Sequence, residues 1–377
     1  MSKETLMNKV KRIAIIGAST GQYPICLKAK ALGYETHCFA WEQGAVCKDV
    51  VDYFHAISIS EKDEIVDACR GLGIEGVVSN ASEATASVSS YVAGKLGLIC
   101  TPYETLEKLH DKYYVRQLTS GIEELCIPKA YMYAGVDEGL YPCVVKPVAG
   151  RAKIGVSYVR DAEEFASAVA YSRKALESDC IVEEYVQGKE LSVESISYKG
   201  QHHVVQITDK DSSSAPHFVE LGHHQPALIE QSLKLKIERV VPEILMAIGY
   251  TNGASHIELK YNDDRLYLIE ANLRGGGDNI SNLLVEMSSG IDYLRCMIEV
   301  AVGEFKKPIR VSEPCFAGIY YLCEQTKDLL PFFENSKGKE WLVECKINNR
   351  KLSESHTNYE RDGYLIYKSN RKITPKD

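Results

Sequence analysis

Two carboxylates and one amide occupy a pair of short apolar runs in the second half of the chain. The runs are "SHIELKY" and "RLYLIEAN", and the turn-forming residues 262–264 between them predict a β-hairpin. If residues of equal parity pair across it, Glu258 and Glu270 are diagonal neighbours on one face, and Asn272 shares that face. Such oxygen atoms suit Mg²⁺ that is held together with substrate phosphates, although an exposed polar hairpin face would have the same pattern.

The stretch that follows, "LRGGGDN", combines a cation, three glycines and an acid. Glycines such as Gly276 let the backbone pass close to a ligand, because no side chain obstructs it. Arg274 carries a permanent charge on a forked donor group, and its alternative role is a structural ion pair with Asp278. Asp278 has three open interpretations: it orients Arg274, contacts an amine, or begins the next helix.

A glycine-bearing loop, "AGRAKIG", begins three residues after a lysine at the end of an upstream apolar run, "VVKP". The lysine is Lys146. The loop contains Gly150 and Gly155, so its backbone N–H groups can fold over an anion, while Arg151 and Lys153 add positive charge. A loop of this composition can cover phosphates.

A run of acids, "EEYVQGKE", follows at residues 183–190. The backbone between Glu184 and Val186 can meet the edge of an adenine, and Glu190 can accept hydrogen bonds from ribose hydroxyls. Taken singly, Glu183 and its neighbours are ordinary strand-end acids, and Lys112 in "HDKYYVRQL" is an ordinary helix lysine.

The surrounding elements change in character along the chain. The first hundred residues alternate strands such as "RIAIIGAS" with helices such as "YPICLKAKALG", which predicts a parallel sheet covered by helices. Gly17 and Gly21 have G-x-x-x-G spacing, which fits a plain turn or a substrate-contacting turn better than a dinucleotide loop. Residues 101–118 predict one helix, β-type runs follow, and residues after 310 predict a small β-rich tail.

The composition argues against several classes of partner and location. The net charge is -8 and no dense Lys/Arg run occurs, which disfavours a nucleic-acid partner. The 12 cysteines form no C-x-x-C pair and fit reduced thiols. The N-terminus is too charged for a secretory signal and no apolar stretch reaches the ~18 residues of a membrane span, so we expect a cytoplasmic protein without a membrane partner.

Two further segments supply candidate substrate contacts. The polar segment 207–227 is punctuated by proline and glycine, which predicts a mobile loop returning into the site. Its candidates are Lys210, Glu220, His223 and His224, with a solvated histidine pair as the alternative. Glu83 in "SNASEAT" can reach an amine substrate, although a helix N-cap explains this stretch equally well.

The order of these motifs resembles that of the ATP-grasp superfamily. A helix lysine, a strand lysine, a glycine loop, an acid-rich connector and an acid-x11-acid-x-Asn hairpin follow one another from about residue 112 to 278. One departure is that Arg151, Lys153 and Ile154 stand where loops of the family commonly carry Gly or Ser. The resemblance implies a mixed α/β and α+β fold. A Rossmann-like pre-ATP-grasp domain would span residues 1–104, a helical connector with a small nucleotide-lid subdomain 105–187, a large subdomain with the metal site 188–309, and a small β-rich tail 310–377.

The resemblance also implies roles for individual residues. ATP would be bound by Lys112, Lys146, Gly150, Lys153, Gly155, Glu183, Glu184, Val186 and Glu190. Mg²⁺, with Mn²⁺ as an alternative, would be held by Glu258, Glu270 and Asn272. Arg274 would lie at the reacting carboxyl, and the candidate substrate contacts are Glu83, Lys210, His223, His224, Gly276 and Asp278.

Enzymes of this superfamily typically join a carboxylate to a nucleophile through an acyl phosphate. The resemblance therefore implies an ADP-forming ligase with a small-molecule carboxylate and amine as substrates. The "E-x-G-H-x-x-P" stretch in segment 207–227 is similar to stretches of the amino-acid ligase branch. Two alternatives stay open: an ATP-dependent carboxylase of the biotin or purine type, and a nucleotide-binding sensor without turnover. Homodimers are common among proteins that look like this.

Overall fold

The computed structural model describes residues 10–148, 154–176, 178–215 and 218–377 of the chain. The strands in these ranges are β1 (Arg12–Ile16), β2 (Glu35–Phe39), β3 (Tyr53–His55), β4 (Gly76–Val78), β5 (Leu125–Cys126), β6 (Ala130–Met132), β7 (Cys143–Pro147), β8 (Ser157–Val159), β9 (Cys180–Glu184), β10 (Lys189–Tyr198), β11 (Gln201–Ser212), β12 (Glu220–Gln225), β13 (Gly253–Asn262), β14 (Arg265–Asn272), β15 (Phe316–Leu322), β16 (Leu342–Ile347) and β17 (Gly363–Ser369). The helices are α1 (Tyr23–Ala31), α2 (Lys62–Leu72), α3 (Glu83–Lys95), α4 (Tyr103–Leu109), α5 (Lys112–Thr119), α6 (Ala162–Leu176), α7 (Gln231–Ala247), α8 (Val285–Ser289), α9 (Tyr293–Ala301) and α10 (Leu330–Glu334). A π-helical turn at Ile280–Leu284 and a 3₁₀ segment at Glu324–Leu329 complete the helical structure.

The N-terminal sheet is parallel, with strand order β3-β2-β1-β4. Alternate residues of β1 enter two different cores, as a strand buried on both faces requires. Ile13 and Ile15 share a buried cluster with α1 and α9, whereas Ala14 and Ile16 share one with α2 and α3. The predicted β-α-β arrangement of the first hundred residues is confirmed.

A second, antiparallel sheet has the order β6-β9-β7-β8 and carries α6 on one face. Val145 of β7 and Val182 of β9 are buried against Phe165 and Val169 of α6. Because side chains alternate along a strand, the neighbouring Lys146 and Glu183 point to the other face.

The third sheet has nine strands in the order β16-β17-β15-β12-β11-β10-β13-β14-β5. Helix α7 covers one face, where Ile237 and Val241 pack with Leu191, Ile257 and Leu268. The opposite face carries the charged residues of the candidate site. The strands after residue 310 belong to this same sheet, beside β12.

Two predicted elements differ from the structure. The single helix expected over residues 101–118 is wrong, because Asp111 interrupts it and caps a new helix, α5, through the N–H groups of Tyr113 (2.8 Å) and Tyr114 (3.0 Å). The mobile loop expected at 207–227 is also wrong over most of its length, because β11 and β12 pair there with Lys210 opposite His223. Its polar side chains obscured the strand pattern, since they face a polar site instead of solvent. Among the described residues, no helix is long and apolar enough to cross a membrane.

Candidate active site

A cavity of about 600 Å³ lies where the three sheets meet. Lys146 comes from the small sheet, Glu258 and Glu270 from the large sheet, and residues 19–21 and 81–83 from turns after the parallel strands. The carboxyl ends of parallel strands are the usual ligand-binding edge of such a sheet. A cavity of this size accommodates a small-molecule ligand.

The hairpin β13–β14 presents the predicted metal ligands to this cavity. Glu258 and Glu270 share one face, as predicted, but they are directly opposite and not diagonal neighbours. The cause is a β-bulge that leaves Ile269 as an extra residue in β14. Asn272 lies on the same face, opposite His256.

Each of the two opposed carboxylates contacts an ammonium group. Lys112 Nζ lies 2.9 Å from Glu270 Oε1, and Lys210 Nζ lies 3.1 Å from Glu258 Oε1. Burial alone would raise the pKa of Glu270, but the charge of Lys112 outweighs it, so the pKa lies below its usual value. Glu270 is therefore ionised and available to a cation at neutral pH.

Lys146 is held by a buried ion pair. Its Nζ lies 2.5 Å from Glu183 Oε2, and Arg116 Nε donates to Glu183 Oε1 at 3.0 Å. Burial alone would raise the pKa of Glu183, but Arg116 and Lys146 hold it below its usual value. Arg116 also donates to the carbonyl of Ile269, the bulge residue of β14. Through Glu183 and Ile269 it connects the small sheet to the hairpin β13–β14. The sequence analysis missed Arg116, although it lies one helical turn after Lys112.

The predicted adenine end lies beside the connector after β9. Lys260 Nζ donates to the carbonyl of Val186 at 3.1 Å and lies 5.1 Å from the ring centroid of Tyr185. Glu184 and Glu190 line the cavity there. The adenine contact proposed for Glu183 stays a prediction, since its oxygens bind the two cations described above.

Of the predicted phosphate loop, only the end can be placed. Gly155 has a φ of +74°, and a Cβ added there would lie 2.9 Å from Pro147 Cγ, so this position requires glycine. Gly150 and Lys153 lie outside the described residues.

Lys210 is buried among three carboxylates at the centre of the site. Its Nζ lies 3.2 Å from Glu190, 2.8 Å from Glu220 and 3.1 Å from Glu258. Burial alone would lower the pKa of Lys210, but these carboxylates raise it well above its usual value. The charge of Lys210 thus holds together Glu190, Glu220 and Glu258, which are the residues predicted to bind ribose, substrate and metal.

The two adjacent histidines of β12 have different environments, because side chains alternate along a strand. His223 Nε2 lies 3.3 Å from Glu220 and 3.7 Å from Asp278, in the charged cluster. His224 lies on the other face, where its ring nitrogens contact Asp211 (3.0 Å) and Tyr367 (3.1 Å). The structure therefore brings His223, but not His224, to the candidate site.

The glycine stretch after β14 is fixed by a buried pair that the sequence analysis missed. The N–H of Gly276 donates to Glu194 Oε2 at 3.0 Å, and Glu194 also bonds to His256. A Cβ on Gly276 would lie 2.7 Å from Glu194 Oε1 and 2.8 Å from His256 Nδ1. Burial alone would lower the pKa of His256, but Glu194 raises it to about 9.

Arg274 and Asp278 line the cavity but do not form the alternative ion pair between them. Arg274 donates to the carbonyl of Gly275 at 3.0 Å, whereas Asp278 pairs with Arg361 from the C-terminal segment. Arg361 lies in no recognisable motif, so the sequence could not single it out. Glu83 also lines the cavity and is the first residue of α3, where Ser82 occupies the predicted N-cap position without a side-chain capping hydrogen bond.

Comparisons with known proteins agree with this architecture. Residues 140–282 match the model of the ATP-grasp domain family. The chain is similar to the alanine–anticapsin ligase of Bacillus amyloliquefaciens, at 24% identity over 322 residues that cover 76% of this chain and 66% of that protein. The match therefore spans slightly less than two thirds of that relative's length.

Two solved structures illustrate the similarity of fold. The L-amino acid ligase from Bacillus licheniformis has a TM-score of 0.77 at 23% identity, covering 96% of this chain and 94% of that chain. The biotin carboxylase domain of the 2-oxoglutarate carboxylase from Hydrogenobacter thermophilus, solved with MgADP and bicarbonate, has a TM-score of 0.71 at 17% identity, covering 96% and 86%. Residues 140–282 thus match the ATP-grasp domain family, and the chain has the ATP-grasp fold. The ATP-grasp resemblance and the fold predicted from the sequence are confirmed.

Proposed function

We propose that this protein is an ADP-forming ligase that activates a carboxylate as an acyl phosphate and joins it to an amine, with an amino acid among its substrates. The observation that carries the proposal is the composition of one cavity. It is lined by the oxygen donors Glu258, Glu270 and Asn272, the lysines Lys112 and Lys146, and the guanidinium of Arg274. The names of the matched relatives, which include an alanine–anticapsin ligase and D-alanine–D-alanine ligases, support an amino-acid substrate.

The hairpin residues fit a magnesium ion by their chemistry. Two carboxylates and an amide offer hard oxygen atoms on one face, and the contact between Glu270 and the ammonium of Lys112 is consistent with a face that attracts a cation. Glu258, Glu270 and Asn272 would hold Mg²⁺. When bound, the ion would offset negative charge on the transferred phosphoryl group.

The cationic side chains of the cavity would bind two different groups, the phosphates of ATP and the acyl group. Lys112 and Lys146 would bind the phosphates of ATP, and the ion pair of Lys146 with Glu183 keeps that ammonium aimed at the cavity. Glu190 would bind the ribose. Arg274 presents a forked donor set that can hold the acyl phosphate and stabilise the oxyanion formed when the amine attacks.

The proposal predicts a specific product. The protein is incubated with ATP, Mg²⁺ and a pool of amino acids and short carboxylates, and ADP release is measured together with the mass of the product. We expect ADP formation that depends on a carboxylate and an amine, with a product equal to their sum less one water. ADP formation that depends on bicarbonate alone would instead support a carboxylase, and no ADP formation would support a sensor.

The cysteines support the expected cellular location. All 12 are free thiols, and most are buried. Free thiols persist in a reducing compartment, which is consistent with a cytoplasmic enzyme.

A further inference from the structure

The segment between β16 and β17, residues 348–362, reaches the candidate site from the C-terminal end of the chain. Asn358 and Tyr359 of this segment line the cavity, and Asn358 Oδ1 accepts a hydrogen bond from the backbone N–H of Glu220 at 3.0 Å. The segment is anchored behind them by Asp362, whose carboxylate accepts hydrogen bonds from the backbone N–H and the hydroxyl of Ser353. The segment is therefore fixed by hydrogen bonds as part of the cavity wall.

Arg361 fixes the substrate end of the wall through a bidentate pair. Its two terminal nitrogens lie 2.9 and 2.7 Å from the two carboxylate oxygens of Asp278, and Nη1 also donates to the carbonyl of Glu220 at 3.1 Å. The guanidinium lies flat against Tyr321, 3.5 Å from its ring centroid, and the side chain is only 9% exposed. Arg361 thus binds the carboxylate of Asp278 and the backbone of Glu220 at the same time.

The backbone that carries Asp278 needs such a restraint. Asp278 and Asn279 have φ angles of +51° and +63°, a left-handed conformation that is uncommon for residues other than glycine. The hydroxyl of Tyr321 donates to the carbonyl of Asp278 at 3.1 Å. Side chain and backbone of Asp278 are therefore both held by residues after position 320, outside the matched ATP-grasp domain.

Tyr359, unlike Arg361, is exposed to solvent. Its side chain lines the cavity and yet is 74% exposed. Ile280, two residues after Asp278, contributes further apolar surface to the same cavity. A ligand with an apolar group would cover the ring of Tyr359 and remove that surface from water.

We propose that segment 348–362 completes the substrate end of the cavity. In this inference, which rests on the proposed ligase function, Tyr359 is a specificity-determining residue that packs against the apolar side chain of an amino-acid substrate. Arg361 is a positioning residue that keeps Asp278 and Glu220 in place for that substrate. The substrate class is therefore an amino acid with an apolar side chain.

The test of Tyr359 is a kinetic comparison of variants. Tyr359→Ala, Tyr359→Phe and the control Tyr171→Ala, on the outer surface of α6, are assayed for ADP release with each amino acid. We expect Tyr359→Ala to raise KM for apolar amino acids about tenfold while KM for ATP stays within about twofold, and Tyr359→Phe to retain wild-type values. Equal KM values in Tyr359→Ala and wild type would overturn the inference.

The test of Arg361 separates positioning from a general structural role. Arg361→Lys keeps the charge but loses the fork, and Arg350→Lys on the surface of the same segment is its control. We expect kcat/KM for the amino acid to fall at least about tenfold in Arg361→Lys, with KM for ATP and the melting temperature unchanged. A parallel loss of ATP affinity and melting temperature would assign Arg361 a structural role and refute positioning.

The wild-type measurement distinguishes the two levels of failure. If no amino acid supports ADP release by the wild-type protein, both the proposed function and this inference fall. If amino acids support ADP release and Tyr359→Ala behaves as wild type, the inference falls alone.

Discussion

Glu258 and Glu270 are two carboxylates placed directly opposite each other on neighbouring strands, where like charges repel. Their separate contacts with Lys210 and Lys112 offset this repulsion. The fold thus holds these two carboxylates together before any ligand binds. Removing one of these carboxylates should affect chemistry more than folding.

The first prediction concerns Glu270→Gln, which keeps the side-chain volume and removes the charge. We expect ADP release to fall at least about 100-fold, because the neutral amide would hold Mg²⁺ less well beside the transferred phosphoryl group. The variant should still fold, but with a lower melting temperature, because the ammonium of Lys112 loses its charged partner. The measurement is ADP release over a range of Mg²⁺ concentrations, with Glu354→Gln on the surface as the control. Near-wild-type turnover would refute the metal assignment.

The second prediction concerns Arg274→Lys. A lysine supplies a point charge in place of the fork, so we expect turnover to fall roughly 100-fold while ATP binding is retained. ADP release and binding of a fluorescent ATP analogue are measured side by side, and Arg70→Lys on the surface of α2 serves as the matched substitution. Unchanged turnover would place Arg274 outside the reaction.

At the scale of elements, the pattern of short apolar runs bounded by turn residues was sufficient to predict β1, β13 and β14. It also predicted that Glu258, Glu270 and Asn272 share a face. It could not predict the bulge at Ile269, because no residue in "LYLIEAN" marks an extra position. Nor could it predict that β11 and β12 are strands, because charged residues such as Lys210 and His223 replace the apolar face that would mark a strand.

The third prediction concerns the cap that begins α5. Asp111 accepts hydrogen bonds from two backbone N–H groups, and Lys112 is the first residue of the helix. We expect Asp111→Ala to lower the free energy of unfolding by about 1 kcal/mol and to raise KM for ATP, because Lys112 loses its fixed direction. Urea unfolding and ADP release are the measurements, with the exposed Asp67→Ala as control. An unchanged unfolding midpoint would contradict the role of the cap.

At the scale of the whole molecule, the site depends on segments that are far apart in sequence. Lys112, Lys146 and Asp278 line one cavity and Arg361 pairs with Asp278, although these residues come from a helix, the small sheet, the turn after β14 and the C-terminal segment. Motif order along the chain predicted the first three positions. Arg361 could not be predicted, because its partner is identified only when β15 and β17 join the large sheet.

The fourth prediction is a dependence of stability on pH. Burial alone would raise the pKa of Asp278, but His223 and Arg361 hold it below its usual value. A carboxyl group with a lowered folded-state pKa stabilises the protein above its unfolded-state pKa, about 3.9, and this contribution is lost as pH falls through the folded-state pKa.

We therefore expect Asp278→Asn to be less stable than wild type at pH 7, and the difference to shrink as pH falls from about 5 towards 3. Urea unfolding at a series of pH values measures it, with the exposed Asp328→Asn as a variant that should follow wild type throughout. A constant difference between Asp278→Asn and wild type would show that the ionisation of Asp278 does not stabilise the fold.

The packing of α9 against the N-terminal sheet has a consequence for the order of folding during synthesis. Ile13 and Ile15 share their core with Leu294 and Ile298, so α1 covers this face of the first sheet only in part until α9 has left the ribosome. At roughly 5–20 residues per second, that wait lasts on the order of ten seconds or more. Strand β1 is therefore made long before it is fully buried, and its incompletely covered face is where a nascent chain of this protein would be open to a chaperone.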